Sequence, residues 1–252
     1  MELQIVNPDP KYERARLVEP TTLGYLYVAA SIRPSPFPTL LPSRRRSELI
    51  GKVKERARQV ESLDGVVRAT VFRAVIMPPA RPFSVFLSEH KASLHVADFD
   101  LVVLIETRSP AVIRAVQLAP EYVGLMELIR KNSKLVRIIA AKNEKRFGEV
   151  DTSRPGLFLF NHFAAEDWQV MLQLWEYLTD WYEVETGLDN SVAMVPLPGE
   201  PSDYALVNWA RWDKSPLRHL WSQLSKRSFW NYVAANLDAN HAASMPIYYH
   251  LA

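Results

Sequence analysis

Histidine and arginine side chains set into apolar stretches are the residues of this sequence that could do chemistry. His162 lies in GLFLFNHF, Arg211 lies near the end of YALVNWARW, and His250 lies in MPIYYHL. An imidazole titrates near neutral pH and can move a proton, whereas a guanidinium can hold a carboxylate or an enolate through two parallel hydrogen bonds. We therefore take His162, Arg211 and His250 as candidate catalytic residues.

Composition limits the classes of function. The chain has 252 residues, of which 48% are apolar and 23% charged, so it can bury a sizeable core. The net charge of +2 is too small to favour binding to nucleic acid or to an anionic membrane. The sequence has no cysteine, no apolar run of transmembrane length and no amino-terminal signal-peptide pattern. We expect a cytoplasmic protein that binds neither nucleic acid nor membrane.

Motifs for phosphate binding, hydrolysis and metal binding are also missing. No glycine-rich phosphate loop and no nucleophile elbow occurs. His90 and His95 could be neighbours on a loop, but no pattern of carboxylates completes a metal site with them. We predict no metal centre.

Apolar patterning predicts two successive units, each with the order strand, helix, strand, strand, helix, strand. The predicted strands of the first unit are 23–32, 66–77, 99–107 and 135–141. Its helices begin near Ser47 and Ser109, and Pro120 breaks the second one. Residues 80–97 leave open whether they form a regular element.

The second unit repeats this order. Its predicted strands are 156–163, 191–197, 204–212 and 245–251, and its helices follow the capping residues Asp167 and Asp213. Gly187 is placed to end the first of these helices. The charged stretch 142–155 reads as the connection between the units. We divide the chain into an amino-terminal arm (1–20), a first half (21–148), a linker (149–155) and a second half with the candidate pocket (156–252).

The repeated βαββαβ order is that of the ferredoxin-like fold. Two such units in one chain resemble a tandem-duplicated dimeric α/β barrel, an α+β architecture in which antiparallel sheets close into a barrel with the helices outside. That superfamily includes the antibiotic-biosynthesis monooxygenases, the haem-degrading monooxygenases and the chlorite-dismutase group. The best local match is YALVNWARWDKSPLRHLW, because a strand ending in an aromatic residue, followed by a capped helix with another, is typical of the monooxygenase-like members.

This resemblance implies a monooxygenase-like oxidoreductase that acts on a small aromatic or polyketide-like molecule in the barrel interior and requires no cofactor. Asn161 and Trp221 match the asparagine of the first strand and the tryptophan of the last helix in the haem-degrading members. Asn231 or Tyr232 stands where the histidine of those proteins is expected. Haem stays open as a ligand, with His219 and His241 as the available axial residues.

Strand periodicity predicts which side chains enter the barrel, because successive residues of a strand point to opposite faces. Aromatic residues share one parity in the first strand of each half, at Tyr25 and Tyr27 and again at Phe158 and Phe160. Assigning that parity to the interior sends His162 inside and Asn161 toward the helices. The periodicity therefore favours His162, whereas the resemblance favours Asn161.

The same rule completes the predicted pocket. With the strand order 4-1-3-2 of the ferredoxin-like fold, Trp209 and Arg211 should flank His162 on one side, and Tyr248 and His250 on the other. The predicted ligand-binding residues are Phe158, Phe160, Trp209 and Tyr248, with Asn161 and Trp221 as the alternative that the resemblance implies.

Three functional hypotheses remain open from the sequence. The first is the oxidoreductase, with a small-molecule ligand, in a monomer that acts as a pseudo-dimer or in a homo-oligomer of such units. The second is a non-enzymatic protein that binds a small ligand or haem in the same pocket. The third is a structural partner in a larger assembly, docking through the exposed arm.

Overall fold

The architecture is a closed barrel of antiparallel strands with helices outside it. The computed structural model describes residues 2–35, 37–38, 43–80, 84–90 and 92–252. The strands are β1 (Gly24–Ser31), β2 (Val66–Ile76), β3 (Leu101–Thr107), β4 (Leu135–Phe147), β5 (Leu157–Ala165), β6 (Ser191–Pro196), β7 (Leu206–Trp212) and β8 (Ala242–Leu251). The helices are α1 (Arg44–Glu61), α2 (Val85–Glu89), α3 (Ile113–Leu118), α4 (Pro120–Asn132), α5 (Trp168–Thr186), α6 (Pro216–Leu224) and α7 (Ala235–Ala239). A short 3-10 turn (Pro110–Val112) precedes α3, and a π-helical segment (Phe229–Ala234) precedes α7.

The strand order confirms the predicted fold class. Around the barrel the hydrogen-bonded order is β1-β3-β2-β8-β5-β7-β6-β4, and β4 returns to β1. Each half contributes four adjacent strands in the order 4-1-3-2. The halves join through β2 with β8 and through β4 with β6, so two ferredoxin-like units share one barrel.

Side chains alternate between two buried faces of the barrel wall. Tyr25, Tyr27, Phe158 and Phe160 belong to the cluster that fills the interior. Leucines and valines of the opposite parity pack under the helices in separate clusters. Because both faces are buried, the strands read as nearly continuous apolar runs.

The second-half helix α5 begins and ends as its sequence predicts. The Asp167 side chain accepts hydrogen bonds from the backbone N–H groups of Gln169 and Val170, which would otherwise lack partners at the helix start. Gly187 ends the helix with a φ of 64°, in the left-handed region that suits glycine. The predicted break at Pro120 separates α3 from α4.

Several of the predicted boundaries are wrong. Helix α1 begins after Ser43 rather than near Ser47, and β8 begins at Ala242 rather than at residue 245. Residues 142–147, which we interpreted as part of the connection, continue β4 and pair with β6 from Lys142↔Val195 to Phe147↔Ser191. Pairing with a distant strand supplies the hydrogen bonds there, so the charged sequence does not end the strand. Helix α6 begins after Ser215 rather than after Asp213, whose carboxylate pairs with Arg211 instead.

The described residues of the stretch 80–97 pack against the interior of the barrel. Within this stretch α2 is regular, residues 92–97 are irregular, and residues 81–83 and 91 lie outside the described part of the chain. Phe86 and Leu87 of α2 are buried in the interior cluster, with Leu94, Val96 and Ala97 packed against it.

The amino-terminal arm is not a free extension. The side chains of Asn236 and Asn240 each bond both the N–H and the C=O of one arm residue, Val6 and Gln4 respectively, at 2.6–2.9 Å. Tyr12 is buried and its ring lies 4.7 Å from that of Tyr232. The arm is thus packed on the second half, but most of its residues remain exposed, so docking onto a larger assembly stays a prediction.

None of the helices in the described ranges is both long enough and apolar enough to cross a membrane.

Candidate functional site

Large side chains fill the barrel interior around His162. Phe158, Phe160 and His162 are completely buried on the interior face of β5, the face that the periodicity predicts. The ring of Tyr204 lies 4.9 Å from that of His162, and the ring of Phe99 lies 5.4 Å away. Aromatic rings therefore occupy the space around the imidazole.

The hydrogen bonds of His162 fix its tautomer. Its Nδ1 lies 3.2 Å from the carbonyl oxygen of Met245, which can only accept, so Nδ1 carries the proton. Its Nε2 lies 2.7 Å from the hydroxyl of Tyr27 and accepts a hydrogen bond from it. Burial lowers the pKa of His162 to about 4, because the imidazolium would lose its hydration. The ring is therefore neutral near pH 7.

Of the residues predicted to flank His162, Trp209 enters the interior and stacks on Phe160, but Arg211 does not lie beside the imidazole. In the antiparallel register His162 stands opposite Val207 on β7 and opposite Met245 on β8. Arg211 stands opposite Phe158, four residues or about 13 Å back along β5. The structure consequently separates His162 from Arg211 instead of joining them in one pocket.

Tyr248 and His250 do not face the interior with His162. Tyr249 and Ile247 have that parity and lie in the interior cluster, whereas Tyr248 packs on the helix side near His219. Half-buried His250 stands opposite Arg73 in the register of β8 with β2. Burial, and to a smaller extent the positive charge of Arg73, lower the pKa of His250. The prediction failed because β8 carries aromatic residues on both faces.

The Arg211 side chain is held by hydrogen bonds at the end of the barrel away from His162. Its guanidinium donates to both carboxylate oxygens of Asp213 and to the carbonyl of Pro155. It also lies 5.9 Å from the centre of the Phe158 ring, within the range of a cation–π contact. These contacts occupy the group that we predicted to hold an anionic substrate.

A largely enclosed cavity lies on the opposite side of β5, between the sheet of the second half and its helices. It has about 20 Å³ of room for the centre of a water molecule, which is enough for about one water. Asn161 lines it, as do the aromatic side chains Trp175, Tyr182 and Trp212. Trp221, the other residue that the resemblance implied, is 76% exposed and does not line this cavity.

Two asparagines stand side by side on the floor of this cavity. Asn161 and Asn208 are direct register partners on β5 and β7, and both are buried. The Asn161 Oδ1 accepts from the Ser244 hydroxyl at 2.9 Å. The Asn208 Oδ1 accepts from the Trp175 indole at 3.0 Å and from the Ser191 hydroxyl at 2.6 Å.

These bonds leave the amide N–H groups as the available donors. No described residue accepts a hydrogen bond from the Nδ2 atom of Asn161 or of Asn208. A buried amide is costly without partners, so the pair suits a water or an anionic oxygen in the cavity. Sequence reasoning missed Asn208, although an asparagine inside the apolar run ALVNWA was a signal for a buried polar contact.

Haem does not fit the described residues. His219 is fully buried against the rings of Trp212 and Tyr248, and its Nε2 lies 2.5 Å from the amide nitrogen of Gln223. His241 is exposed. Neither histidine lines the cavity, so neither ring could ligate the iron of a haem placed there. The described part of the chain likewise brings together no group of three or more metal-ligating side chains.

Comparisons with known proteins identify the fold. No protein-family model matches the chain, and no curated protein matches it. A solved anthrone oxidase-like protein matches over 94% of both chains, with a TM-score of 0.62 and 12% identity. A candidate monooxygenase from Fusobacterium nucleatum matches over 91% of both chains, with a TM-score of 0.53 and 7% identity. The chain thus has the fold of the dimeric α/β-barrel superfamily, as the sequence resemblance predicted.

Proposed function

We propose that the protein is a cofactor-independent, monooxygenase-type oxidoreductase whose substrate is a small aromatic ketone with an acidic C–H bond. The observation that carries this proposal is the pair of amide donors at Asn161 and Asn208 in an apolar, aromatic cavity. Donors fixed at the place where an oxygen becomes negative stabilise the transition state, and each is worth on the order of 10²–10³ in kcat.

The chemistry needs only the substrate and dioxygen. A CH2 group conjugated to the ketone loses a proton to water or hydroxide and gives an enolate, whose oxygen accepts hydrogen bonds from the two amides. The carbanionic carbon passes electrons to dioxygen and forms a C–O bond, and the resulting peroxide anion takes a proton from water to give a hydroperoxide. Loss of water then leaves a second carbonyl, so that CH2 and O2 become C=O and H2O.

The cavity lining offers no base, so the reaction depends on how acidic the C–H bond of the substrate is. It contains no Asp, Glu, His, Lys or Arg, and burial raises the pKa of Tyr182 well above its ordinary value. The proton must therefore come from a carbon acid that ionises readily once its oxygen is held by hydrogen bonds. We expect kcat/KM to rise with pH according to the ionisation of the substrate.

Substrate binding requires the cavity to enlarge. Val233 of the π-helical segment and Leu237 of α7 form part of its cover, together with Leu178 and Thr179 of α5. A π-helical segment has a less regular hydrogen-bond pattern than an α-helix and is common at functional sites. We place the necessary movement in this cover, because the floor belongs to the hydrogen-bonded barrel.

The name of one structural neighbour suggests a probe. An anthrone carries a CH2 group between two aromatic rings and opposite a carbonyl, which is the class of carbon acid that the cavity calls for. The name belongs to the neighbour, and anthrone enters here as a test compound.

Dioxygen uptake with anthrone tests the proposal. Asn161→Asp and Asn208→Asp keep the oxygen that Ser244 or Trp175 binds but remove amide donors, so each should lower the enzymatic rate by about 10²-fold. The control His162→Gln changes the opposite face of the same strand and should retain most of the rate. Loss of activity in His162→Gln with retention in both asparagine variants would place the reaction in the barrel interior and refute the cavity site.

Binding without turnover is the second candidate, favoured by the absence of a base in the cavity lining. It predicts that anthrone or a quinone binds with an affinity that Asn161→Asp reduces, while dioxygen uptake stays at the rate of the solution without protein. Measuring binding and uptake on the same samples separates the two functions.

A further inference from the structure

A phenol and an imidazole from opposite halves of the chain meet inside the barrel. Tyr27 of β1 belongs to the first half and His162 of β5 to the second, and both side chains are at most 1% exposed. The hydroxyl of Tyr27 lies 2.7 Å from Nε2 of His162. The proposed reaction uses neither residue. We infer that they form a proton-coupled redox site, in which a one-electron oxidant takes an electron from Tyr27 and His162 takes its phenolic proton.

The tautomer of His162 prepares it for this role. The Met245 carbonyl holds the proton on Nδ1, so the lone pair of Nε2 faces the Tyr27 hydroxyl before any oxidation occurs. When the electron leaves, the O–H bond of Tyr27 breaks and an N–H bond forms on His162. The products are a neutral tyrosyl radical, an imidazolium and the reduced oxidant, and atoms and charge balance.

Burial opposes the imidazolium without preventing the transfer. The low pKa of His162, about 4, shows that its charged form is disfavoured by desolvation. An oxidised phenol that keeps its proton is a much stronger acid than an imidazolium of that pKa, so the proton still moves to nitrogen. The result is a radical enclosed by aromatic rings and shielded from solvent.

The neighbouring interior tyrosine Tyr249 lacks such a base. The Tyr249 hydroxyl, which is equally buried, donates at 2.7 Å to the backbone carbonyl of Phe99. A carbonyl oxygen accepts a hydrogen bond but does not take the proton away near neutral pH. Tyr249 thus has the same side chain and burial but no base of its own, although its hydroxyl also interacts with that of Tyr27.

Tyr12 is the competing tyrosine among the described residues. Its hydroxyl lies 3.1 Å from the carboxylate of Glu185. Burial raises the pKa of Glu185, but hydrogen bonds from Lys11 and Lys226 outweigh it and lower that pKa to about 2. A carboxylate held by two ammonium groups is a weaker proton acceptor than His162, so we expect oxidation to settle on Tyr27.

Aromatic side chains connect Tyr27 to the rest of the interior. The ring of Phe160 lies 5.3 Å from that of Tyr27, and the indole of Trp209 is parallel to Phe160 at 6.2 Å. An electron vacancy formed on Trp209 has a short route to the tyrosine. The oxidants that we expect in the cell are oxygen-centred radicals, the class that escapes from reactions of carbanions with dioxygen.

Flash photolysis tests the site with an oxidant that needs no binding site. Photogenerated tris(bipyridine)ruthenium(III) oxidises the full-length protein, and electron paramagnetic resonance on freeze-quenched samples detects the tyrosyl radical. We expect a signal in the wild type and in Tyr249→Phe and Tyr12→Phe, and its loss in Tyr27→Phe. A signal that persists in Tyr27→Phe, or that disappears in Tyr12→Phe, would overturn the inference.

The role of His162 has its own readout. His162→Gln keeps an acceptor near the phenol but removes the base, and it should slow radical formation at least about tenfold, or at least about 1.4 kcal/mol in the barrier. An unchanged rate in a variant with the wild-type near-ultraviolet circular dichroism would overturn the proton transfer. If His162→Gln does not fold, the pair Tyr27→Phe and Tyr249→Phe still decides the location. None of these measurements depends on the proposed function.

Discussion

Acid should destabilise this protein through His162, and replacement with glutamine should remove that part of the pH dependence. The folded state holds the imidazole neutral between Tyr27 and Met245. The unfolded chain exposes it to water, where it takes up a proton at an ordinary pKa of 6.5. Between pH 6.5 and pH 4 the unfolded state binds more protons than the folded state, so stability falls as the pH falls.

The expected magnitude follows from the two pKa values. A difference between 6.5 and about 4 corresponds to on the order of 3 kcal/mol, present above pH 6.5 and lost once the pH is below 4. Fully buried His219, whose pKa burial lowers to about 3, adds a loss of the same sign that continues to lower pH. Burial of Asp180 raises its pKa to about 6, which acts in the opposite direction.

A difference measurement isolates His162 from these other groups. Urea unfolding of the wild type and of His162→Gln at several values between pH 7.5 and pH 4 gives two curves of unfolding free energy against pH. Subtracting one curve from the other cancels the contributions of the ionisable groups that both proteins share. We expect the stability advantage of the wild type to shrink by about 3 kcal/mol across this range. Exposed His241→Gln controls for the change of residue type. A difference that stays constant with pH would refute a buried neutral imidazole.

Two further predictions concern packing contacts. In Gly156→Ala the new Cβ would overlap Nε of Arg211, which Asp213 and Pro155 hold in place. We expect the free energy of unfolding, measured with heat or urea, to fall by about 1–3 kcal/mol. A variant as stable as the wild type would show that the guanidinium moves freely. In Asn236→Ala both hydrogen bonds to Val6 are lost, so we expect a loss of about 1–2 kcal/mol and faster proteolysis of the arm. Asn132→Ala is the control, because the amide of Asn132 donates only within its own helix. Equal proteolysis of both variants would show that Asn236 does not hold the arm.

Local patterns predicted the fold because each element carries its own signal. In β1 and β5 aromatic and aliphatic residues alternate, which shows which side chains face the interior. Helix α5 has a capping aspartate and a terminating glycine. Each of those signals depends on neighbours within a few positions. The order 4-1-3-2 then follows from the ferredoxin-like pattern, and the closure of the two halves into one barrel came from the resemblance.

Contacts between distant segments could not be predicted in the same way. The last residues of β4 are charged, and only their pairing with β6 makes them a strand. The arm is held by Asn236 and Asn240 through its backbone, which leaves no trace in the side chains of Gln4 and Val6. Adjacent Tyr248 and Tyr249 face opposite sides of β8, so hydrophobic alternation could not show which one enters the barrel.

The pair Asn161 and His162 shows where sequence reasoning stops at the site. Periodicity correctly separates them onto opposite faces of β5, but it says nothing about which face retains free volume. That depends on the bulk of residues from other strands, since the rings of Phe99 and Tyr204 fill the space beside His162. It also depends on Asn208, which is remote in sequence and becomes the partner of Asn161 only through the register of β5 with β7. A candidate site in a barrel buried on both faces therefore has to be assigned from packing, and in this protein the packing leaves Asn161, rather than His162, beside free volume.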